Sequence, residues 1–286
     1  MPATGIRRRV LHSSWLGCVE DFNAPGGCPA PRGHSPDYQL VFPYAGAFEW
    51  HVGAKTAFLD GTCMLFVGAG EDYADSHVAD GGHDSIIITP RVSLLQELCG
   101  RAVPARHPAF QRVAKPTTPR LNLRSRRLLR LEASGADPLA CDELMIALLD
   151  EALAPTRSAA RASSLRVVNE TKQFLHAHLC EPISLNEIAS AVQVSGAYLT
   201  DAFTRSEGVP LCRYRTRLRL NRALVDLPRC EDITGLALDL GFSSHAHFST
   251  AFKSFFGVSP SAFRAESGSP RRAVRVARSH ASSAAA

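Results

Sequence analysis

The sequence predicts an α+β protein of two domains. A small β-barrel or sandwich with appended helices comes first. An all-helical domain with two helix-turn-helix units joined by a long helix follows. Three observations predict this. Short apolar runs recur at roughly ten-residue spacing over 36–90, separated by turn residues. After Pro90 the apolar spacing becomes that of helices. Segments 183–208 and 232–257 then carry one two-helix burial pattern twice.

A chain of 286 residues suffices for about two domains, and 45% hydrophobic with 21% charged residues supports packed cores. No apolar run reaches the roughly 18 residues of a membrane-spanning helix, so no membrane partner is expected. The start, MPATGIRRRVLHSSWLGC, is basic, but its apolar stretch is too short and broken for a signal peptide. A cytoplasmic location is therefore expected. Residues 160–286 hold 16 lysines and arginines against 10 aspartates and glutamates, a net of +6, while the remainder nets −1. That asymmetry suits a polyanion partner for the C-terminal part, or simply a solvated basic surface.

Eight cysteines occur singly, at 18, 28, 63, 99, 141, 180, 212 and 230. Without a C-x-x-C pair they indicate neither a zinc ribbon nor a redox dithiol. They read as free, small, apolar thiols. Cys18 and Cys28, near His12 and His34, also leave a metal or redox sensor open, although their spacing fits no tight template.

The β part reads as strands over 38–43 (YQLVFP), 47–52 (AFEWHV), 56–59, 62–67 (TCMLFV) and 84–89 (DSIIIT). Asp60-Gly61, between two apolar runs, reads as a two-residue hairpin turn. Helices are expected over 92–98, 121–132 and 139–153. The last carries a stripe of Leu139, Leu144, Ala147, Leu148, Glu151 and Ala152 at helical spacing, widened by Met145 and Leu149, fit for a core, a partner helix or both. Residues 154–165 (APTRSAARASSL) lack apolar periodicity and read as a linker, which sets the first domain at 1–153. Residues 267–286 read as a basic disordered tail.

The intervening domain, 166–266, opens its first unit with Ser184 and Glu187 at capping-box spacing. Leu185, Ile188, Ala189 and Val192 follow on one face, with Ala189 small enough to let a second helix cross closely. Ser195 caps that second helix. Tyr198, Leu199, Ala202 and Phe203 form its expected buried side and Gly208 its end. The second unit repeats the scheme with Ile233, Leu236, Ala237 and Leu240, a turn at Gly241, a cap at Ser244, a buried side of Phe248, Ala251, Phe252 and Phe255, and Gly257 as the stop. Between the units, 210–227 reads as one long helix ringed by Arg213, Arg215, Arg217, Arg219 and Arg222. A proline-initiated helix at 260–264 closes the domain.

These motifs carry a resemblance. The stretch 167–266, through SLNEIASAVQVS, YLTDAF, RLRLNRAL and above all ALDLGFSSHAHFSTAFKSFFGVSPSAFR, resembles the DNA-binding domain of the AraC/XylS family of transcription regulators. The resemblance covers about a hundred residues and runs through both units in order. It implies a sequence-specific regulator, more often an activator, that sets both second helices into successive major grooves of promoter DNA and engages RNA polymerase. The outward residues are then Gly196, Ala197, Thr200, Asp201, Thr204 and Arg205 in the first unit, and His245, Ala246, Ser249, Thr250 and Lys253 in the second. Thr200, Asp201 and Thr250 depart from the long basic or amide side chains common in the family. Asp201 can accept from a cytosine amino group, repel phosphate, or pair with Arg205 one turn on. His247 is either outward or packed.

More loosely, 33–90 resembles the cupin-like sensor domain that precedes this DNA-binding domain in many family members. That implies a small barrel for a small-molecule effector, with helices that form a homodimer. By position in that pattern the effector residues are Tyr44, Trp50, His51, Tyr73, His77 and His83. No cofactor, metal site or catalytic residue is expected, because no H-x-H pair with a later Glu occurs at cupin spacing in 36–90. The alternatives are a cupin-type metal enzyme or a reactive-cysteine repair protein fused to a DNA-binding domain, and an architectural DNA binder without sequence preference.

Overall fold

The computed structural model describes residues 5–27, 32–77, 81–99, 110, 111, 113–134, 137–154 and 165–266. Cys28, the expected tail and the expected linker, apart from its edge residues Ala154 and Leu165, lie outside them.

The architecture is α+β in two domains. Among the described residues the first domain holds two antiparallel sheets. One runs in the order β1 (Arg7–Ser14), β2 (Gly17–Ala24), β9 (His83–Pro90), β4 (Gln39–Gly46), β7 (Cys63–Val67), β10 (Ala114–Pro116). The other runs β3 (Arg32–Ser35), β8 (Glu71–His77), β5 (Phe48–Val52), β6 (Lys55–Leu59). No strand of one sheet pairs with a strand of the other among these residues, so the expected barrel is found as two open, facing sheets.

The central strands β4 and β9 are buried on both faces, which explains their unbroken apolar runs. Leu40, Phe42, Ile86 and Ile88 point one way, onto helices α1 (Val92–Leu98), α2 (Pro119–Ser134) and α3 (Pro138–Leu153). Val41 and Ile87 point the other way, into the space between the sheets with Phe22, Phe48, Trp50 and Leu65. The α3 stripe divides: Met145, Leu148, Leu149 and Ala152 enter the core, whereas Leu139 is exposed.

The expected hairpin at Asp60-Gly61 is not formed. β6 and β7 belong to different sheets, and Gly61 does not have a positive φ. The two-residue hairpin lies one connection earlier, where Val52 pairs with Lys55 and Gly53 supplies φ +55°. Asp60-Gly61 instead carries the chain between sheets. β1, β2, β3, β8 and β10 are strands that the apolar-run criterion passes over. β1 is an edge strand with its arginines in solvent, and β8 is polar on both faces.

The second domain comprises α4 (Leu165–Ala177), α5 (Leu185–Ala191), α6 (Gly196–Glu207), α7 (Leu211–Asp226), a 3-10 turn (Leu227–Arg229), α8 (Ile233–Asp239), α9 (His245–Phe256) and α10 (Pro260–Ala265). It has two cores. The first gathers Val168, Leu175, Ile188, Leu199, Phe203, Tyr214 and Leu218. The second gathers Leu220, Leu224, Ala237, Leu240, Phe248, Phe252 and Phe263, and admits Leu123 from α2. The helix α7 feeds both, which fixes the two units to one rod.

The domains meet at Asp60-Gly61. Asp60 is fully buried. Its carboxylate accepts hydrogen bonds from Tyr214 Oη, from His176 Nε2 at 3.0 Å, and from Thr62 N and Oγ1 at 2.7 and 2.6 Å. Burial alone raises such a carboxyl; the hydrogen bonds and the positive charge of His176 and Lys172 outweigh it and hold the group well below the usual range. The neighbouring Gly61 carbonyl accepts from Asn221 Nδ2 at 2.7 Å and Asn122 Nδ2 at 3.0 Å.

Candidate functional site

Local sequence chemistry builds both helix-turn-helix units. Ser184 Oγ accepts from Glu187 N while Glu187 Oε2 accepts from Ser184 N, the expected capping box. Ser195 and Ser244 cap α6 and α9 through the backbone N–H of Tyr198 and His247. Gly208 and Gly257 end those helices with φ +71° and +79°. The turns are alike. Val194 N donates to Ala189 O and Phe242 N to Ala237 O, each at 3.0 Å, a Schellman closure. That closure needs a left-handed residue. The second unit supplies Gly241 (φ +77°), but the first uses Gln193 (φ +56°), the one non-glycine residue with positive φ among those described.

Ala197, Thr200, Asp201 and Arg205 on α6, and His245, Ala246, Thr250 and Lys253 on α9, are exposed; Gly196, Thr204 and Ser249 are half-buried. Asp201 accepts from Arg205 one turn on. His245 and Ser249 lie 3.3 Å apart. His247 is exposed, the outward alternative, although its ring stands edge-on to Phe242 and Nδ1 meets Ser243 Oγ at 3.0 Å. Tyr198, expected among the buried residues, is 44% exposed. It sits at i−2 from Thr200 on the helix edge, which burial spacing alone cannot assign to inside or outside.

Between the sheets lies a cavity of about 210 Å³, lined mainly by apolar side chains. Of the six expected effector residues, Trp50, Tyr73 and His83 line it. His77 neighbours it, its ring 5.4 Å from that of His83. His51 and Tyr44 do not line it. His51 is on the other face of β5, bonded to Thr56 and Ser76. Tyr44 follows a register shift in β4, donates to Asp21 Oδ1 at 2.6 Å, and lies under the Arg126 guanidinium. Sequence reasoning missed Asp75 and Ser85, which also line the cavity. The signal was Tyr73-x-Asp75-x-His77 at strand alternation.

Burial raises the Asp75 carboxyl to about 7. Burial, with the nearby His77, lowers the His83 imidazole to about 3. Both effects disfavour charge on a side chain that burial removes from solvent. Among the described residues no three His, Cys, Asp or Glu side chains gather as metal ligands.

Comparison with known proteins bears on the helical half. Residues 188–266 match the family model described as a helix-turn-helix domain. The Msm operon regulatory protein of Streptococcus mutans is 31% identical over 126 residues, 43% of this chain and 45% of that protein. The C-terminal part of the chain is an AraC-type helix-turn-helix domain. The HTH-type transcriptional regulator ArgR of Pseudomonas aeruginosa is 39% identical over 88 residues, 30% of this chain and 27% of that protein. The chain thus spans less than half the length of these relatives. A solved AraC-type DNA-binding domain from Chromobacterium violaceum is 33% identical, covering 38% of this chain and 99% of that one at a TM-score of 0.36.

Within the AraC-type domain, most of the α7 arginines do not face outward as a free basic ring. Arg215 donates to the Ile183 and Glu181 carbonyls. Arg219 donates to Leu179 O at 2.9 Å and Gly241 O at 2.7 Å, clamping the turn of the second unit to the loop before the first. Arg217 donates to Thr117 O across the domain boundary at 3.2 Å. Arg222 pairs with Asp226. Arg213 is exposed.

Proposed function

We propose that this chain is a sequence-specific, effector-responsive transcription regulator. It binds double-stranded promoter DNA through the α6 and α9 faces. The observation that carries the reading is a pair of capped helices, each with one side buried in its own core and the opposite side open to solvent, joined through α7. Such helices fit a major groove. The regulator names of the relatives that match this region support it. The contacting residues on this reading are Gly196, Ala197, Thr200, Asp201, Thr204 and Arg205, with His245, Ala246, Ser249, Thr250 and Lys253. The cavity between the sheets, in a cupin-like sensor domain over 1–153, holds a small-molecule effector. The protein works in the cytoplasm as a homodimer, activates through RNA polymerase, and is not an enzyme. A linker at 154–165 joins the halves, and 267–286 is a basic tail.

Genome-wide mapping of bound fragments, followed by affinity measurement at physiological salt, tests this. A specific site bound about 10³-fold or more tighter than random DNA is expected. Equal affinity for both would refute sequence-specific regulation.

A further inference from the structure

Four side chains that line the cavity each leave a buried polar atom unpartnered among the described residues: Trp50 Nε1, Asp75 Oδ1, His83 Nδ1 and Ser85 Oγ. All four residues are at least nine-tenths buried. Both ring nitrogens of the adjacent His77 are likewise unpartnered. A buried polar atom without a partner is costly, and a cluster of them in one cavity marks where a guest completes the bonding.

The cluster has a sign. Asp75 is 3% exposed. Its nearest charge-capable neighbour is His83 Nε2, 3.8 Å from Oδ2 and beyond hydrogen-bond reach. The carboxylate is acceptor-only, the serine hydroxyl and each neutral imidazole offer both a donor and an acceptor, and Trp50 Nε1 is a donor. Among the described residues the cation lining the cavity, Arg8, is exposed, lies over the Phe22 ring and is already near Glu20. Around these groups Phe22, Phe48, Trp50 and Tyr73 supply aromatic wall, Trp50 and Tyr73 being stacked at 4.1 Å. Sheet register enforces the arrangement: Trp50 pairs directly with Asp75, so ring and carboxyl emerge side by side.

We infer that the cavity takes a small primary amine, bound as its ammonium ion against Asp75 with its apolar body among the aromatic side chains. An ammonium ion brings three donors to the Asp75 carboxylate and to the acceptor sites of Ser85 and the imidazoles, and its charge neutralises the carboxylate that lines the cavity. Aromatic faces add attraction for the cation. A carboxylate guest would meet Asp75 with no buried counter-charge. This rests on the reading of the cavity as an effector site.

The test uses the full chain carrying Trp15→Phe, so that Trp50 is the sole tryptophan and its quenching reports binding. Butylamine, cyclohexylamine and phenethylamine are titrated beside butanol, cyclohexanol, phenethyl alcohol and phenylacetate. At least one amine is expected to bind roughly 10- to 100-fold tighter than its alcohol, with phenylacetate weakest. Asp75→Asn is expected to erase that preference. The inference is overturned if no amine exceeds its alcohol in the Trp15→Phe protein, or if Asp75→Asn keeps the full preference. The amine-against-alcohol comparison in the Trp15→Phe protein stands even if Asp75→Asn fails to fold. The effector reading fails separately: it falls if guests of every charge quench Trp50 yet leave affinity for the mapped promoter fragment unchanged. It survives if an alcohol or phenylacetate binds and shifts that affinity.

Discussion

Removing the Tyr214 hydroxyl probes how firmly the DNA-binding half is held. Tyr214 is 1% exposed, on α7, and donates to the buried Asp60 carboxylate of the sheet domain. Tyr214→Phe removes one hydrogen bond to a charged acceptor, a loss of about 1.5–3 kcal/mol. Asp60→Asn is more disruptive. Oδ1 serves Thr62 within the same turn, whereas Oδ2 serves Tyr214 and His176. An amide can keep the first role, but in the second it sets a donor against donors and leaves Lys172 and His176 short of a counter-charge. Breaking a buried charge pairing of this kind costs roughly 3–5 kcal/mol. In a double-mutant cycle read by urea unfolding of the full chain, the coupling should be about 1.5–3 kcal/mol. Additivity within about 0.5 kcal/mol would refute the shared bond. The Asp60 contribution also has a pH sense. Its folded carboxyl is held below the ordinary 3.8, so the stability is present above that value and is lost only as pH falls further, through the folded one.

Gln193→Gly should stabilise the chain by about 1 kcal/mol, because the left-handed turn it occupies penalises a side chain; a loss of thermal stability would contradict the turn geometry. Gly241→Ala should do the reverse and more, since a Cβ there would stand 2.5 Å from Arg219 Nη2 and 2.7 Å from the Cys180 carbonyl oxygen. An unchanged melting temperature would count against the clamp. For Asp75, raised from 3.8 to about 7, the folded state favours the protonated form. Its stability contribution is therefore full below 3.8 and lost as pH rises through about 7. Asp75→Asn should gain on wild type as pH rises from about 4 to about 7 and then level off, by no more than about 4 kcal/mol at 1.36 kcal/mol per decade; urea midpoints with no pH trend in the difference would exclude a buried, uncompensated carboxyl. Lys253→Ala should weaken promoter binding and lower the log–log salt slope by about 1, as loss of one phosphate contact does. Unaltered binding would remove the α9 face from the interface.

The helix-turn-helix units were legible because their determinants are local. Capping by Ser184, Ser195 and Ser244, helix stops at Gly208 and Gly257, and the small Ala189 and Ala237 all act within one or two turns of chain, and they agree with the apolar spacing. Sequence spacing therefore determined α6 and α9 and much of their outward faces.

Partners far apart in sequence decided the rest. Trp50 and His51 are neighbours, yet one lines the cavity and the other does not; the pairing of β5 with β8 makes that choice. Asp75 drew no reading from the sequence; the pairing of β5 with β8 places it beside Trp50. The α7 arginines read as a basic ring, but carbonyls 22 to 40 residues away claim Arg215 and Arg219. Asp60-Gly61 carried a strong local hairpin signal that lost to the sheet-to-sheet crossing and to Tyr214, 154 residues on. A turn's preference is worth a kilocalorie or so, whereas a buried carboxylate with four donors settles where the chain must go.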